Sequence, residues 1–370
     1  MASHPDPRPA RFELVWERMA TTNVDTLLLS LGADLPWLTG YTAMPLERLT
    51  MLVLPLDGEP VLVVPRLEAP RVEAAPELFS MRPWEESEDP IEIVTGLIGR
   101  SRRRLAISDR TWASALLGLQ TTLPRATWTT ASLVTGPLRA VKDAGEVDAL
   151  RRAAAAADQV ATALMTGQIP LIGRTEAEVS RELGERLGEA GHDAVNFAIV
   201  GSGPSSASPH HEPGPRVIGP GEPVVCDFGG TMAGYCSDVT RTIFTGSPPE
   251  EFRDLYAVLH GAQAAAVDAA RVGTQCQEVD AVARDLITDA GFGPQFLHRT
   301  GHGIGLEEHE DPYLVLGNRE PLAAGHAFSV EPGIYVEGRW GARIEDIVVA
   351  TAAGPESLNR ADHALAVVES

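Results

Sequence analysis

Residues 224–244 read VVCDFGGTMAGYCSDVTRTIF, and this stretch carries the strongest structural signal in the chain. Two runs, 224–228 and 237–244, have the length and β-branched content of strands, the first of them apolar enough to be buried, and the glycines between them are typical of a tight connection. Each run carries an aspartate, Asp227 or Asp238. Because neighbouring strands bring their side chains together, we expect the two carboxylates to face each other within an apolar sheet.

The sequence on either side of this stretch predicts helices and further strands. Upstream, residues 142–165 are rich in alanine and predict a helix, and Thr175 with Glu178 forms a capping box that begins a second helix, ending at Gly191. The elements predicted downstream are helices at 249–271 and 277–290 and strands at 327–331 and 342–351. These elements predict an α+β domain built around residues 224–244.

The first third of the chain has a different pattern, in which short strands and helices alternate. Its predicted elements are strands at 25–31, 49–54 and 60–64 and a helix at 91–97. With 370 residues the chain is long enough for two cores, so we place an α/β domain at 1–138 and a second domain at 139–370. The first domain has no cluster of ligand-type residues and is interpreted as scaffold.

The charge of the chain excludes two classes of partner. The formal net charge is -21, from 51 acidic and 30 basic side chains, and a surface of this kind repels nucleic-acid phosphates and anionic membranes. The one basic run, Arg102 to Arg104, is short enough to be a solvated loop. Residues 1–11 are polar, no stretch approaches the ~20 apolar residues of a membrane span, and three cysteines do not suggest a disulfide scaffold. We therefore expect a cytoplasmic protein.

Histidines and carboxylates concentrate in the second domain. Five of the ten histidines occupy two short segments: His210, His211, His298, His302 and His309. Four carboxylates occupy apolar strand-like surroundings: Asp227, Asp238, Glu331 and Glu345. Buried carboxylates need cations, and two divalent ions would balance four negative charges. Two ions ~3.5–4 Å apart can share a hydroxide formed from a water acidified to pKa ~7, which points to hydrolysis.

The predicted ligand set determines which metals are suitable. Carboxylate oxygens with one imidazole favour Mn²⁺ as the first choice, with Co²⁺, Fe²⁺ or Zn²⁺ as alternatives. No cysteine pattern of a structural zinc site is present. We therefore expect two divalent metal ions per chain as cofactors.

Six segments of the second domain resemble motifs of the pita-bread metallopeptidases, a family that includes prolidase, aminopeptidase P, methionine aminopeptidase and creatinase. The segments are GPSSASPH at 203–210, DFG at 227–229, SDVTRT at 237–242, HRTGHGIGL at 298–306 with HE at 309–310, VEPGIY at 330–335 and RIED at 343–346. The resemblance covers residues 139–370 closely. In the first domain, Leu38 to Tyr41 resembles a short segment of the creatinase/prolidase N-terminal domain.

The resemblance implies a role for each site residue. It implies that Asp227 ligates one metal, that His302 and Glu331 ligate the other, and that Asp238 and Glu345 bridge both. The residues implied to be catalytic are His210, His309 and Glu331, and those implied to bind substrate are His298, Tyr313 and Arg343. The sequence leaves open whether Arg343 orients His309 or balances the acidic cluster. Thr240 is expected to hydrogen-bond a bridging carboxylate, and His211 is interpreted as a solvent-facing or supporting residue.

The complete ligand set narrows the activity within the family. Creatinase lacks the metal ligands, and methionine aminopeptidase lacks the first domain and has a wider spacing of its two glutamates. The resemblance therefore implies a peptidase that cleaves the N-terminal Xaa-Pro bond of proline-containing peptides, on the model of aminopeptidase P. A strict Xaa-Pro dipeptidase is the alternative within this class, and a non-catalytic peptide-binding module is the alternative outside it. The resemblance also implies a homodimer in which Trp37 helps to close the partner's active site.

One residue departs from the pattern of some prolidases and bears on substrate length. Those prolidases present an arginine four residues after the equivalent of His309, whereas this chain has Tyr313. Tyrosine donates one neutral hydrogen bond and carries no charge to hold the carboxylate of a dipeptide. We therefore expect Xaa-Pro-Xaa peptides to be accepted, unless another arginine reaches the same place.

Overall fold

The computed structural model describes residues 5–99 and 103–369. Residues 1–4, 100–102 and 370 lie outside this description, and they include part of the polar N-terminal segment and Arg102 of the basic run. Contacts divide the chain into two compact units, Met1–Arg139 and Ala140–Ser370, one residue from the boundary placed at 138/139. Within the described residues, no helix is long and apolar enough to cross a membrane.

The N-terminal unit is built on a mixed six-stranded sheet. Its strands are β1 Thr26–Leu29, β2 Met51–Pro55, β3 Val61–Pro65, β4 Ser80–Trp84, β5 Arg104–Ile107 and β6 Thr127–Thr130. Its helices are α1 Arg8–Thr22, α2 Asp34–Thr39, α3 Pro90–Ile98, α4 Ala113–Thr122 and α5 Ser132–Ala140. The strand order is β4-β3-β2-β1-β5-β6, and the strands and helix predicted from this region are confirmed within a few residues. Val94 of α3 and Leu119 of α4 pack with Leu28, Met51 and Leu105 of the sheet.

The C-terminal unit contains four helices and twelve strands among its described residues. The helices are α6 Ala144–Met165, α7 Glu176–Glu189, α8 Glu250–Ala269 and α9 Cys276–Asp289. The first strands are β7 Ala194–Ser202, β8 Pro223–Met232, β9 Tyr235–Cys236, β10 Val239–Thr245, β11 Gly301–Gly303 and β12 Glu310–Leu314. The remaining strands are β13 Ala327–Val330, β14 Gly333–Val336, β15 Trp340–Arg343, β16 Asp346–Thr351, β17 Gly354–Ser357 and β18 Ala366–Val368. The capping box predicted for α7 is present, with Glu178 N–H 3.2 Å from Thr175 Oγ1 and Thr175 N–H 2.8 Å from Glu178 Oε2.

Two sheets and a hairpin organise these strands. The first sheet has the order β18-β10-β8-β7, with β9 paired to β8, and the second has the order β12-β11-β13-β16-β17. β14 and β15 form the hairpin. Helices α6 and α7 pack on the first sheet through Leu164 and Leu183, while α8 and α9 contribute Leu259 and Ile287 to the core of the second. Both sheets are therefore covered by amphipathic helices, as apolar strands require.

One segment differs from its predicted structure. The pattern of residues 342–351 predicts a single strand, whereas the chain leaves the hairpin at Arg343 and enters the second sheet only at Asp346. Between them, Glu345 donates its backbone N–H to Thr240 O of β10, at 3.2 Å. This isolated bridge connects the segment to the first sheet and places the Glu345 side chain where the two sheets meet.

Candidate metal centre

Strands β8 and β10 place two aspartates next to each other. In their antiparallel register Asp227 lies opposite Thr240, and Asp238 is the residue just before β10. Both side chains are buried. A Cβ at Gly229 would lie only 2.1 Å from Ser237 O, so the close approach of the two strands at this turn requires glycine. The adjacency predicted from residues 224–244 is therefore present.

His302 enters the site on the short strand β11. A Cβ at Gly301 would lie 1.9 Å from Ser329 O, and a Cβ at Gly303 would lie 2.2 Å from Asp311 O, so the flanking glycines allow both neighbouring strands to approach closely. His302 Nδ1 lies 3.1 Å from Gly303 O, which favours a proton on Nδ1. Nε2 then keeps its lone pair for a metal ion, and it lies 3.3 Å from Glu331 Oε1.

Glu331 and Glu345 complete the acidic cluster. Glu331 follows β13 and accepts a hydrogen bond from Ser329 Oγ at 3.3 Å. Thr240 Oγ1 donates to Glu345 Oε2 at 2.6 Å, the hydrogen bond expected for this threonine. One ligand atom each from Asp238, His302 and Glu345 lie within 4.8 Å of one another, as a metal ion requires.

The electrostatics of this cluster call for additional positive charge. Burial, followed by repulsion from the neighbouring carboxylates, raises the pKa of Asp238 and Glu345 well above their ordinary values. Burial also raises the pKa of Glu331, to about 7. Burial lowers the pKa of His302 to about 3, so this imidazole is neutral and can act as a ligand. Cations that bind here compete with protons for the same carboxylate oxygens.

Asp227 provides a direct test of whether the site suits metal ions. Its Oδ2 accepts a hydrogen bond from Arg343 Nη2 at 2.6 Å, whereas its Oδ1 is buried without a hydrogen-bond partner among the described residues. An orphaned carboxylate oxygen inside a protein is costly unless a cation binds it. The hard-oxygen and imidazole donor set, together with this free oxygen, fits divalent metal ions.

Arg343 is tied to the acidic side of the site. In addition to Asp227, its Nε donates to Thr240 Oγ1 at 3.1 Å and its Nη1 to the Tyr335 hydroxyl at 2.7 Å. None of its hydrogen bonds reaches His309 within the part of the chain that the structure describes. Of the two roles left open by the sequence, the contacts favour charge balance and the orientation of Asp227.

His298 has both ring nitrogens engaged. Since the Tyr335 hydroxyl accepts from Arg343, it donates its own proton to His298 Nε2, 2.8 Å away, and His298 Nδ1 then donates to Arg299 O at 2.7 Å. Burial, together with the charge of Arg343, lowers the pKa of His298 to about 4. A neutral ring with both nitrogens occupied can form a wall of the site but is poorly suited to proton transfer.

A cavity of about 580 Å³ brings together nine of the ten site residues expected from the sequence. They are His210, Asp227, Asp238, His298, His302, His309, Glu331, Arg343 and Glu345. Tyr313 is the exception, because its ring does not line the cavity and instead lies 4.5 Å from the guanidinium carbon of Arg299. Tyr313 thus lies behind a cavity-lining side chain, and its contact with substrate stays a prediction.

The cavity also contains residues that the sequence did not single out. They are Phe197, Ile199, Pro209, Arg299, Glu308 and Val315. Phe197 and Ile199 alternate along β7, and Ile199 lies opposite Asp227, so the period of two residues along this strand was an available signal. Arg299 lies inside the HRTGHG segment, next to His298, but nothing in the sequence distinguished it from a surface arginine.

The loop that carries His210 is anchored by a buried carboxylate. Glu176 Oε2 accepts from His211 Nε2 at 2.8 Å and from Gly214 N–H at 3.4 Å, while its Oε1 accepts from the Ser202 backbone and hydroxyl. Burial raises the pKa of Glu176, but the hydrogen bonds from His211 and Ser202 lower it by more, so this carboxyl is ionised. His211 therefore supports the loop beside it and does not face the cavity.

We expect His211→Ala to lower kcat by roughly 10-fold, because a small displacement of an adjacent catalytic group is costly. The variant removes the side-chain anchor of the loop while leaving the cavity-lining residues intact. His211→Gln is expected to recover much of the activity, since its amide can donate to Glu176. Steady-state kinetics with metal content measured in parallel tests this; equal losses in both variants would mean that the hydrogen bond to Glu176 does not matter.

Two family models match this chain. The model of metallopeptidase family M24 matches residues 148–352, and the model of the creatinase/prolidase N-terminal domain matches residues 11–141. The M24 match contains all five expected metal ligands. The first match accounts for most of the unit that contains the cavity, and the second for most of the N-terminal unit.

Individual relatives extend the similarity over the whole chain. The probable dipeptidase PepE of Mycobacterium tuberculosis is 44% identical over 362 residues, which is 97% of this chain and 96% of the relative. The crystal structure of dipeptidase PepE from Mycobacterium ulcerans matches with a TM-score of 0.93 and 43% identity, covering 100% of both chains. The prolidase of Thermococcus sibiricus matches with a TM-score of 0.92 and 34% identity, covering 99% of this chain and 100% of the other.

Proposed function

Because this chain belongs to metallopeptidase family M24, in the pita-bread branch that includes the prolidases, we propose that it is an Xaa-Pro dipeptidase working with two divalent metal ions. The observation that carries the proposal is the convergence of four buried carboxylates and His302 in one cavity. One divalent ion together with Arg343, which pairs with Asp227, would still leave one negative charge buried, and a second ion removes this deficit of positive charge. When bound, the two ions supply an acidified water as nucleophile and polarise the carbonyl of the substrate.

The proposed ligand assignment follows from the oxygens that remain available. Asp227 would hold the first ion through Oδ1, since Arg343 occupies its Oδ2. His302 Nε2 and Glu331 are close enough to share the second ion, with 3.3 Å between Nε2 and Oε1. Asp238 and Glu345 are proposed to bridge the ions, and Mn²⁺ remains the first choice of metal.

The neighbouring side chains support cleavage of a bond before proline. The proline nitrogen has no hydrogen in the peptide and needs a proton when it leaves, so a proton donor must stand near the scissile bond. Burial and the charges of Arg299 and His210 lower the pKa of His309, which favours the neutral ring. A neutral ring can accept the proton that the attacking water loses and then pass it to the proline nitrogen as the bond breaks. We assign proton transfer and stabilisation of the tetrahedral intermediate to His210 and His309, and the proline-side wall to His298.

The relatives favour dipeptides over longer peptides as substrates. Two full-length relatives at 43–44% identity carry the name dipeptidase, and a third is named prolidase. The alternative, an aminopeptidase acting on longer Xaa-Pro peptides, rests on Tyr313 having no positive charge. The position of Arg299 against Tyr313 weakens that argument, because a positive charge is present beside the tyrosine. We therefore reverse the order of preference that the sequence suggested.

We expect kcat/KM for Ala-Pro to exceed that for Ala-Pro-Ala by about 10-fold or more, because only the dipeptide presents a carboxylate next to proline. Purified protein reconstituted with Mn²⁺ and assayed by release of free alanine gives both values under the same conditions. Equal values, or a preference for the tripeptide, would assign the enzyme to the aminopeptidase class.

The alternative of a non-catalytic module and the expected homodimer have different outcomes. The non-catalytic binding module is set aside, since the chain is a metallopeptidase family member whose five expected ligand positions are all filled. The homodimer stays a prediction. Its suggested contact through Trp37 is not supported, because this side chain is 3% exposed and the guanidinium of Arg11 lies over its ring.

A further inference from the structure

Two arginines line the cavity, and they differ in whether their N–H donors are already used in hydrogen bonds. Arg343 is buried and uses Nε, Nη1 and Nη2 in hydrogen bonds to Thr240, Tyr335 and Asp227. Arg299 is half-buried, and its guanidinium makes no hydrogen bond or ion pair with any residue in the described ranges. Of the two guanidinium groups that line the cavity in the described part of the chain, that of Arg299 has its donors available for a molecule that enters.

The ring of Tyr313 holds the side chain of Arg299 in place without using its N–H donors. The guanidinium carbon lies 4.5 Å from the centroid of the Tyr313 ring. A guanidinium over an aromatic ring is attracted through its face, so the N–H groups at its edge stay free for a planar acceptor. The backbone carbonyl of the same residue accepts the hydrogen bond from His298, which fixes the chain at this position.

The charge of Arg299 is not needed to neutralise the metal ligands. It lowers the pKa of Glu331 only through space, as a smaller contribution than the burial of that carboxyl and the charge of Arg343. Two divalent ions and Arg343 together offset the four carboxylates without Arg299. Glu308, the other carboxylate that lines the cavity, makes no hydrogen bond or ion pair with Arg299 among the described residues. A carboxylate from the substrate is the anion that a peptidase can receive at this position, and a guanidinium binds it with two parallel hydrogen bonds.

We propose that Arg299, held against Tyr313, is the specificity-determining residue that binds a carboxylate of the peptide substrate. This inference rests on the proposed function. The carboxylate has two possible sources, the C-terminus of an Xaa-Pro dipeptide and an acidic side chain at the first residue. Both sources offer the same planar anion to the guanidinium edge.

Matched substrate pairs separate the two sources. Ala-Pro and Ala-Pro-NH₂ differ only in the C-terminal charge, and Glu-Pro and Met-Pro differ in the charge of a first side chain of similar size. One of these pairs contains the carboxylate that Arg299 binds. For the charged member of that pair, Arg299→Gln is expected to lower kcat/KM by about 30- to 100-fold, mainly through a higher KM. For the neutral member, the same substitution should lower kcat/KM by less than about 3-fold. Arg299→Lys should restore part of the loss, since it keeps the charge but not the paired geometry.

A matched control comes from a second stacked arginine outside the cavity. The guanidinium carbon of Arg339 lies 3.8 Å from the ring centroid of Trp340, and its nitrogens pair with Glu251 on the exposed surface. Arg339→Gln should leave all four substrates unchanged. Metal content and thermal stability of every variant are measured to exclude general damage.

The outcomes distinguish this inference from the proposed function. If the wild type hydrolyses Xaa-Pro compounds but Arg299→Gln affects both members of each pair equally, the role of Arg299 is overturned while the proposed function stands. If Arg299→Gln lowers kcat/KM for Ala-Pro much more than for Ala-Pro-NH₂, Arg299 binds the C-terminal carboxylate. If it instead lowers kcat/KM only for Glu-Pro and not for Met-Pro, Arg299 binds the acidic side chain of the first residue. If the metal-loaded wild type hydrolyses none of the four compounds, the proposed function and the role of Arg299 both fail.

Discussion

Asp238→Ala and Glu345→Ala are each expected to reduce hydrolysis of Ala-Pro to the level of the metal-free protein. Both side chains are buried, and both belong to the group of ligand atoms that lie within 4.8 Å of one another. A bridging carboxylate serves both ions, so its removal disturbs both sites and leaves an excess positive charge in a low-dielectric cavity. Activity and metal stoichiometry by elemental analysis of the same samples are the measurements.

The controls for this prediction come from the same cavity. Glu308→Ala removes a carboxylate that lines the cavity but is outside the proposed ligand set, and it should retain two ions. Asp227→Ala removes a proposed terminal ligand and should cost less activity than either bridging variant. Full activity of Asp238→Ala, or of the wild type after exhaustive chelation, would contradict the two-metal assignment.

A stability measurement on the metal-free protein provides a second readout of the bridging variants. The pKa of Asp238 is higher in the folded protein than in the unfolded chain. Such a carboxyl group destabilises the folded state once the unfolded chain has lost its proton, that is, above about pH 4. Asp238→Asn should therefore raise Tm in the metal-free protein at pH 8, and the difference should vanish well below pH 4. With metal bound the order should reverse, because the wild type alone gains the full stabilisation by the ions.

His210→Ala and His309→Ala are expected to lower kcat by about 10²- to 10⁴-fold while the protein keeps its metal, because each ring is assigned to proton transfer or charge stabilisation. Both rings line the cavity, and the centroid of the His309 ring lies 4.0 Å from that of His302. Neither is one of the five proposed metal ligands. The loss should therefore appear in kcat and in the pH profile, with little change in metal content.

His260→Ala serves as the matched control for these two variants. His260 is exposed on α8, and its ring contacts that of His363, away from the cavity. Its substitution should leave kcat and the pH profile unchanged. Loss of metal from His210→Ala or His309→Ala would instead identify the residue as a ligand and remove it from the proton-transfer role.

Much of the C-terminal unit could be derived from the sequence, because its signals are local. The capping box of Thr175 and Glu178 involves residues three positions apart, and the strand carrying Asp227 is recognisable from its own apolar pattern. The segments around Asp238 and His302 are likewise short, and their resemblance to family motifs implied which residues are ligands. These features needed no knowledge of the partner strands.

The remaining features depend on contacts between segments far apart in the chain. The break between β15 and β16 arises because Glu345 pairs with Thr240, a residue 105 positions earlier. Arg343 binds one oxygen of Asp227 and leaves the other free. The packing of these two buried side chains decides which oxygen is bound. Tyr313 lies against the guanidinium of Arg299, and it is Arg299 that lines the cavity, because the packing of the two side chains decides which of them reaches it. Local pattern can identify which residues are able to do chemistry, whereas strand register and packing set which of their atoms reach the cavity.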